Sequence, residues 1–209
     1  MFRLVAVQEN VRIKPADLGR PLVEAVLAEL DESYLDKVIA DVGLVVATYD
    51  VQEITGGILH HSEGAPHYEV KFRLLIFRPQ ETELLKGKLI QSDEHGVYIS
   101  LGFFSDVMIP FEYMQTGTIY NQKDNIWCWQ AKDANLQLDM GEEVLFRVQD
   151  VTFHKQPTLA EFKAANPGAD EQDFKKQPPV PPMVINGSFN DAGLGLVQWW
   201  SEEEAEQDE

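Results

Sequence analysis

The sequence predicts an α+β domain followed by an all-β barrel. Three short strands separated by glycine-containing turns lie between Leu84 and Tyr113, and their period-two alternation is typical of half-buried antiparallel strands. Gly87, inside the first of them, indicates the sharp bend that a small closed barrel needs. Before this region a strand, a helix and further strands follow one another, as in a compact α+β domain. The barrel is therefore predicted to be of the OB type.

The first domain begins with a strand and an amphipathic helix. The strand covers Phe2 to Ile13. The helix follows with Pro21 at its first position and Val23 opening an apolar face at helical spacing. Residues Val38 to Tyr49 are rich in β-branched side chains, which predicts one central strand. Clean alternation from His67 to Phe77 predicts the last strand of this domain.

The second domain continues beyond its first three strands. A hairpin is predicted from Ile126 to Met140, with Trp127 and Trp129 on one face. Alternation over Glu143–Phe153 predicts another strand with its apolar residues inward. A last strand over Met183–Phe189 is predicted to close the barrel.

The domain boundaries follow from these elements and from composition. The first domain is predicted over residues 1–80 and the barrel over 81–200. A proline-rich polar stretch near 155–182 predicts a flexible insertion within the barrel. Residues 201–209 hold six acids and no base, which predicts a solvated, disordered acidic tail.

Composition narrows the classes of function. The chain has 209 residues and a net charge of −18, and proteins that bind nucleic acid unaided are usually basic. Protein partners are therefore favoured over strong RNA affinity of the chain alone. Cys128 is the only cysteine, so no internal disulfide can form, which is typical of a reducing cytosolic or nuclear setting. No apolar run is long enough for a membrane span, and no membrane partner is expected.

A modest RNA-binding surface is predicted on the barrel. Parity places the side chains of Lys86, Lys88, Tyr98 and Arg147 outside the core. Cations beside an exposed aromatic ring suit a single strand, because they offer phosphate pairing and base stacking. The alternative interpretation is that these are ordinary surface residues.

Two loops of the first domain are predicted to be binding loops. They cover Arg12–Gly19 and Gly56–His67 and have the glycine and proline content of projecting tips. The candidate contact residues are Arg12, Lys14, Pro15, Gly56, Gly57, Gly64 and Pro66.

Neither a metal site nor a catalytic site is predicted. His60, His61 and His67 lack a nearby cysteine, and adjacent histidines in an extended chain point in opposite directions. The sequence contains no GxSxG, no GxxxxGK and no HExxH, so an enzyme has no supporting motif and no cofactor is expected.

Four segments in a fixed order resemble one protein family. They are VYISLGFFSDVMIP, GEEVLFRVQDVTF, NGSF and GLGLVQWW, and they follow an N-terminal α+β domain. This arrangement is similar to the larger stalk subunit of the multisubunit RNA polymerases of archaea and eukaryotes. The SLGFF run and the GLGLVQWW ending are most similar to the RNA polymerase III paralogue.

The resemblance implies a fold and a set of partners. The first domain would be related to a truncated ribonucleoprotein fold and would dock on the polymerase III core through its tip loops. The barrel would lie near nascent RNA, and a smaller helical subunit would complete a heterodimer in the nucleus. Such a subunit supports initiation, with initiation factors as further partners, and does not catalyse nucleotide addition. Candidate interface residues are Phe103 and Phe104, which we expect to be partly buried against a neighbouring domain, and Trp199 and Trp200, which we expect to contact either the first domain or the helical partner. The helical partner could instead cover Tyr98.

A function of another class is compatible with the same sequence. A free OB-fold protein that binds single-stranded RNA in translation or RNA decay has the same barrel. It would show salt-sensitive RNA affinity as an isolated chain, whereas a polymerase subunit would co-purify with a large complex.

Overall fold

The computed structural model describes residues 1–59, 64–130, 135–155 and 180–200. The chain divides into two compact units, Met1–Arg78 and a second unit that begins at Pro79. Most of the predicted insertion and the whole of segment 201–209 lie outside the described residues. Within the described ranges, no helix has the length and hydropathy needed to cross a membrane.

The first unit is an antiparallel sheet with one helix on it. Its elements are β1 (Phe2–Arg12), α1 (Leu22–Tyr34), β2 (Val38–Ile39), β3 (Gly43–Leu59) and β4 (Pro66–Phe77). The strand order is β1-β4-β3-β2. Strands β1 and β4 are paired from Phe2↔Phe77 to Arg12↔His67, so both predicted strands are confirmed. The alternation predicted for β4 is confirmed by the burial of Val70, Phe72 and Leu74.

The core of the first unit lies between α1 and one face of the sheet. Val26 and Leu30 of the helix are almost fully buried, and the rings of Tyr34 and Phe72 lie 5.6 Å apart. Burial of these apolar side chains is the main stabilising contribution of the unit. The buried cluster consists of Val11, Ile13, Ala25, Val26, Leu30, Val45, Val70, Phe72, Leu74 and Ile76.

The start of the helix differs from the prediction. Pro21 is the N-cap residue, with φ −54° and ψ 133°, and α1 begins at Leu22. Val23, predicted on the buried face, is 51% exposed, whereas Ala25 is buried. The rest of the predicted face is confirmed, because Val26 and Leu30, three and seven residues after Val23, are buried. Val23 lies in the first turn of the helix and stays exposed, while Ala25 joins the buried face.

The predicted central strand over Val38–Tyr49 is wrong, because the chain reverses within it. Ile39 pairs with Gly43 and Val38 with Leu44. Gly43 has φ +137°, and a Cβ there would lie 2.5 Å from the carbonyl oxygen of Phe77. A residue with a side chain would clash with that backbone, so glycine sets the position of the turn.

The glycine pair predicted in a loop lies within β3 instead. Gly56 and Gly57 have φ of +95° and +93°, and the β3–β4 register shifts between Gly56 and Ile58. An extra residue in one strand of a pair is a β-bulge, for which glycine is well suited. Strand β3 therefore continues to Leu59.

The second unit consists mainly of strands. They are β5 (Leu84–Asp93), β6 (Gly96–Ser100), β7 (Val107–Pro110), β8 (Thr118–Asn121), β9 (Ile126–Gln130), β10 (Asn135–Gln137), β11 (Glu143–Phe153), β12 (Met183–Ser188) and β13 (Gly195–Leu196). Five of them close into a barrel in the order β12-β7-β6-β5-β11, because β11 also pairs with β12. Strand β13 adds beside β11. The predicted fold class, an α+β domain followed by an OB-type barrel, is confirmed.

The barrel interior follows the predicted alternation. Leu85 and Leu89 point inward on either side of Gly87. A Cβ on Gly87 would lie 2.5 Å from Cγ2 of Ile99 and 2.9 Å from the carbonyl oxygen of Ser100. Gly87 is therefore needed for the close approach of β5 and β6, in addition to any bend. The other buried side chains of the five strands include Val97, Val107, Ile109, Val144, Phe146, Val148, Met183 and Ile185.

The predicted hairpin over Ile126–Met140 is part of a larger sheet. Strand β8, which was not predicted, pairs with β9, and β9 pairs with β10. Trp127 is 3% exposed, and its indole Nε1–H donates a hydrogen bond of 2.9 Å to the carbonyl oxygen of Asp93. This bond connects the three-stranded sheet to the β5–β6 turn of the barrel.

Candidate functional site

Lys86 and Lys88 lie side by side on the outer surface of β5. The register places Leu145 of β11 opposite Lys86 and Glu143 opposite Lys88. An open groove of about 430 Å³ runs beside both lysines, and its remaining walls are Gly87, Ile90, Ser100, Leu101, Gly102 and Glu143. The outward parity predicted for the two lysines is confirmed, because both side chains are exposed.

A carboxylate already occupies part of this surface. The Lys86 Nζ and Glu143 Oε2 atoms lie 2.5 Å apart. The hydrogen bond from Lys86 lowers the pKa of the Glu143 carboxyl, and the charges of Lys86 and Lys88 lower it further. The groove therefore holds two ammonium groups and one carboxylate, a local excess of positive charge on an acidic chain.

The Glu143 ion pair leads to a titration experiment. Lys86→Met is expected to raise the pKa of the Glu143 carboxyl because it removes both a hydrogen bond and a charge. Lys88→Met is expected to raise this pKa by less, because Lys88 acts through its charge alone. Carboxyl carbon chemical shifts followed against pH measure both values.

The sign of the linked stability change follows from the lowered pKa. Glu143 contributes stability above the pKa it has in the unfolded chain, and this contribution is lost as the pH falls through its folded pKa.

An equal or larger rise of the Glu143 pKa in Lys88→Met than in Lys86→Met would contradict the geometry of the ion pair.

The other two predicted RNA contacts, Arg147 and Tyr98, interact with residues of the second unit itself. The Arg147 Nη1 and Asp191 Oδ2 atoms form an ion pair of 2.7 Å. Arg147 Nε is buried and has no hydrogen-bond partner among the described residues. Tyr98 is half-buried, and burial together with a hydrogen bond to Asp93 raises the pKa of its hydroxyl. The lysine pair is therefore the more accessible part of the predicted surface.

The two predicted binding loops meet at one end of the N-terminal sheet. Arg12 pairs with His67, and the Ile13 N–H donates a hydrogen bond of 3.1 Å to the carbonyl oxygen of Pro66. Leu59 also pairs with Pro66. Residues distant in sequence are thus assembled into one surface by the pairing of β1, β4 and β3.

Several of the candidate docking residues have structural roles at this end. Lys14 forms ion pairs with Glu32 (2.5 Å) and Glu29 (3.4 Å) of α1, and the hydrogen bond with Glu32 raises the pKa of the Lys14 ammonium. Pro15 opens a short 3₁₀ turn, and Gly64 has φ +62°. The ion pairs of Lys14 and the backbone conformations of Pro15 and Gly64 therefore stabilise the structure of the loops.

The sequence interpretation missed two exposed apolar residues at the same end. Ile58 is 65% and Leu59 is 62% exposed. An apolar pair beside the glycines of a strand end is a recognisable signal for a contact surface. Together with the loops, they form what we call the tip surface: Arg12, Lys14, Pro15, Gly56, Gly57, Ile58, Leu59, Gly64 and Pro66.

The aromatic residues predicted at a partner interface differ in accessibility. Phe103 is 50% exposed, but Phe104 is 6% exposed. The prediction for Phe104 needs correction, because its ring is buried and offers no surface to a partner. It was predicted in a turn, where sequence parity does not determine the direction of a side chain.

The two final tryptophans are half-buried. The ring of Trp199 lies 5.7 Å from that of Trp129. It also lies over Gly195, where a Cβ would come within 2.6 Å of it. The Trp200 Nε1–H donates a hydrogen bond of 3.2 Å to the carbonyl oxygen of Leu194. Both rings therefore pack on the barrel unit while keeping an exposed part.

Among the described residues, no group of three or more histidine, cysteine, aspartate or glutamate side chains is arranged to hold an ion. His67 lies in β4, and His60 and His61 lie outside the described residues.

Family models match both units. A model described as RNA polymerase III subunit Rpc25 matches residues 83–200. A second, described as the SHS2 domain found in the N terminus of Rpb7p/Rpc25p/MJ0397, matches residues 8–64. The two matches lie in order, each within one of the two structural units.

Curated relatives agree with these models. The chain is 34% identical over 205 residues to DNA-directed RNA polymerase III subunit RPC8 of Bos taurus, covering 96% of this chain and 99% of the relative. It is 28% identical over 212 residues to the RPC8 subunit of Saccharomyces cerevisiae, covering 96% and 100%. The polymerase subunit Rpo7 of Saccharolobus solfataricus is 36% identical over 102 residues, 49% of this chain and 57% of the relative. The family predicted from the four segments is confirmed, and the chain belongs to the RNA polymerase III subunit Rpc25 family.

Proposed function

We propose that this chain is a non-catalytic stalk subunit of nuclear RNA polymerase III. The observation that carries the proposal is the match of both units, in order, to relatives named as subunits of that enzyme. A shared barrel alone would not support it, because one fold serves many functions. The nucleotide transfer belongs to the polymerase as a whole, and this chain is an accessory part of it.

The tip surface of the first unit is the proposed docking site on the polymerase core. Exposed Ile58 and Leu59 supply apolar area, and the pairing of Arg12 with His67 keeps the loops together. Apolar residues at the centre of an interface contribute more to affinity than charges at its rim. In this role the second unit pairs with a smaller helical subunit, through surfaces that include Phe103, Trp199 and Trp200, and supports initiation.

The groove beside Lys86 and Lys88 is the proposed contact with nascent RNA. Two lysines on one strand can pair with successive phosphates, and Ile90 and Leu101 offer apolar area for a base. The affinity of the groove alone is expected to be weak, because the chain carries a net charge of −18. Attachment to the polymerase raises the local concentration of the transcript and compensates for weak binding.

A tagged full-length chain purified from its own cells tests this function. We expect the polymerase III subunits to co-purify in stoichiometric amounts. The double variant Lys86→Glu/Lys88→Glu is expected to keep this association while its crosslinking to nascent RNA falls roughly tenfold. Lys123→Glu reverses the charge of an exposed lysine in the β8–β9 turn, outside the groove, and as the control it should crosslink like the native chain.

Each part of the proposal has its own contradicting result. Recovery of the chain without polymerase, together with salt-sensitive RNA binding, would favour a free RNA-binding protein. Unchanged crosslinking in Lys86→Glu/Lys88→Glu would exclude the groove as the RNA contact. Equal losses in the double variant and in Lys123→Glu would attribute the effect to overall charge.

A further inference from the structure

The end of the described chain lies close to the lysine pair. The Val197 N–H donates a hydrogen bond of 2.9 Å to the carbonyl oxygen of Glu143, and Glu143 is paired with Lys88 on its other side. Val197 and Lys88 therefore lie on opposite sides of β11, each next to Glu143. With strands about 4.8 Å apart, their backbones are separated by roughly 10 Å.

The segment that follows Trp200 is strongly acidic. Residues 201–209 contain Glu202, Glu203, Glu204, Glu206, Asp208 and Glu209 and no basic residue. Nine extended residues span up to about 30 Å, so the carboxylates of this segment can reach the groove beside Lys86 and Lys88. No large movement of the barrel is needed for this contact.

The groove suits carboxylates chemically. It carries two lysines against one glutamate, and Lys86 already holds the Glu143 carboxylate at 2.5 Å. By contrast, the guanidinium of Arg147 is paired with Asp191. The charge of Lys88 lowers the pKa of Glu143, but Lys88 forms no ion pair among the described residues. A second carboxylate at Lys88 would compensate the remaining positive charge.

We propose that the acidic segment 201–209 binds the groove of Lys86 and Lys88 in the same chain and competes there with RNA. Tethering gives the segment an effective concentration of the order of millimolar, so even weak charge pairing occupies the site. The competition part of this proposal rests on the proposed RNA contact. The binding of the segment to the groove does not depend on that contact. If the segment competes with RNA, only RNA that the polymerase holds near the groove displaces it. Binding of unrelated RNA is then disfavoured.

Paramagnetic relaxation tests the contact directly. A nitroxide is attached to Ala205→Cys in a full-length chain that also carries Cys128→Ser. We expect amide signals of 86–90 and 100–102 to lose about half of their intensity or more, because a millimolar effective concentration keeps the segment bound much of the time. The broadening should fall to the level that the tether alone produces at about 0.5 M salt. It should fall to the same level in Lys86→Glu/Lys88→Glu and persist in Lys123→Glu. Absence of broadening in the native groove, or equal broadening in both variants, would overturn the proposal.

An RNA titration separates this proposal from the proposed function. The six acids are changed to Gln or Asn, and binding of a uridine oligonucleotide is compared with the native chain at low salt. We expect affinity to rise about fivefold, and this rise to vanish in the Lys86→Glu/Lys88→Glu background. An equal rise in both backgrounds would overturn competition at the groove. Relaxation contact without measurable RNA binding in any chain would support the segment contact and contradict the RNA role.

Discussion

Phe146→Ala is expected to lower the free energy of unfolding of the barrel by about 3–5 kcal/mol. Phe146 on β11 is fully buried, and its ring covers Gly187 of β12, where a Cβ would lie 2.7 Å from the ring. The ring thus fills the space left by that glycine at the closing strand pair. Alanine would leave a cavity between β11 and β12 that the barrel cannot fill by small movements.

Urea unfolding followed through hydrogen exchange of the β5–β7 amides measures this loss. Leu145→Ala is the matched control, because Leu145 is the neighbouring residue on the outer surface and is only half-buried. We expect the control to lose much less stability. Similar losses in the two variants would contradict the assignment of Phe146 to the centre of the barrel core.

Trp127→Ala is expected to cost about 3–5 kcal/mol and to release the three-stranded sheet from the barrel. Trp127 stacks on Phe111 with ring centroids 5.5 Å apart and contacts Tyr120 at 4.9 Å. Alanine would remove these ring contacts and the hydrogen bond to the Asp93 carbonyl oxygen. Amides of β8, β9 and β10 should therefore exchange faster than those of the barrel strands.

Trp127→Phe separates the ring from its hydrogen bond. Phenylalanine keeps most of the apolar area but lacks the indole N–H, so the expected loss is about 1–2 kcal/mol. Hydrogen exchange and urea unfolding measure both variants under the same conditions. An equal loss in the alanine and phenylalanine variants would show that the hydrogen bond, rather than ring packing, holds the sheet.

The candidate site was only partly predictable. Parity along β5 was enough to place Lys86 and Lys88 outside, because strand side chains alternate strictly. The same parity could not show that Arg147 pairs with Asp191, which lies on a different segment of the chain. It also could not assign Phe104, because a turn has no fixed alternation. The exposed pair Ile58 and Leu59 was missed because β3 was expected to end before it.

The sequence alone determined the fold class, the order of the two domains and the family. Period-two alternation is a local property that can be recognised along the chain, whereas the close approach of β6 to Gly87 depends on the tertiary structure. The tertiary structure alone decided which distant residues meet: Glu143 with Lys86, Trp127 with Asp93, and Val197 with Glu143. These contacts depend on strand pairing across the chain, and many pairings are compatible with one alternating pattern until the whole core is packed.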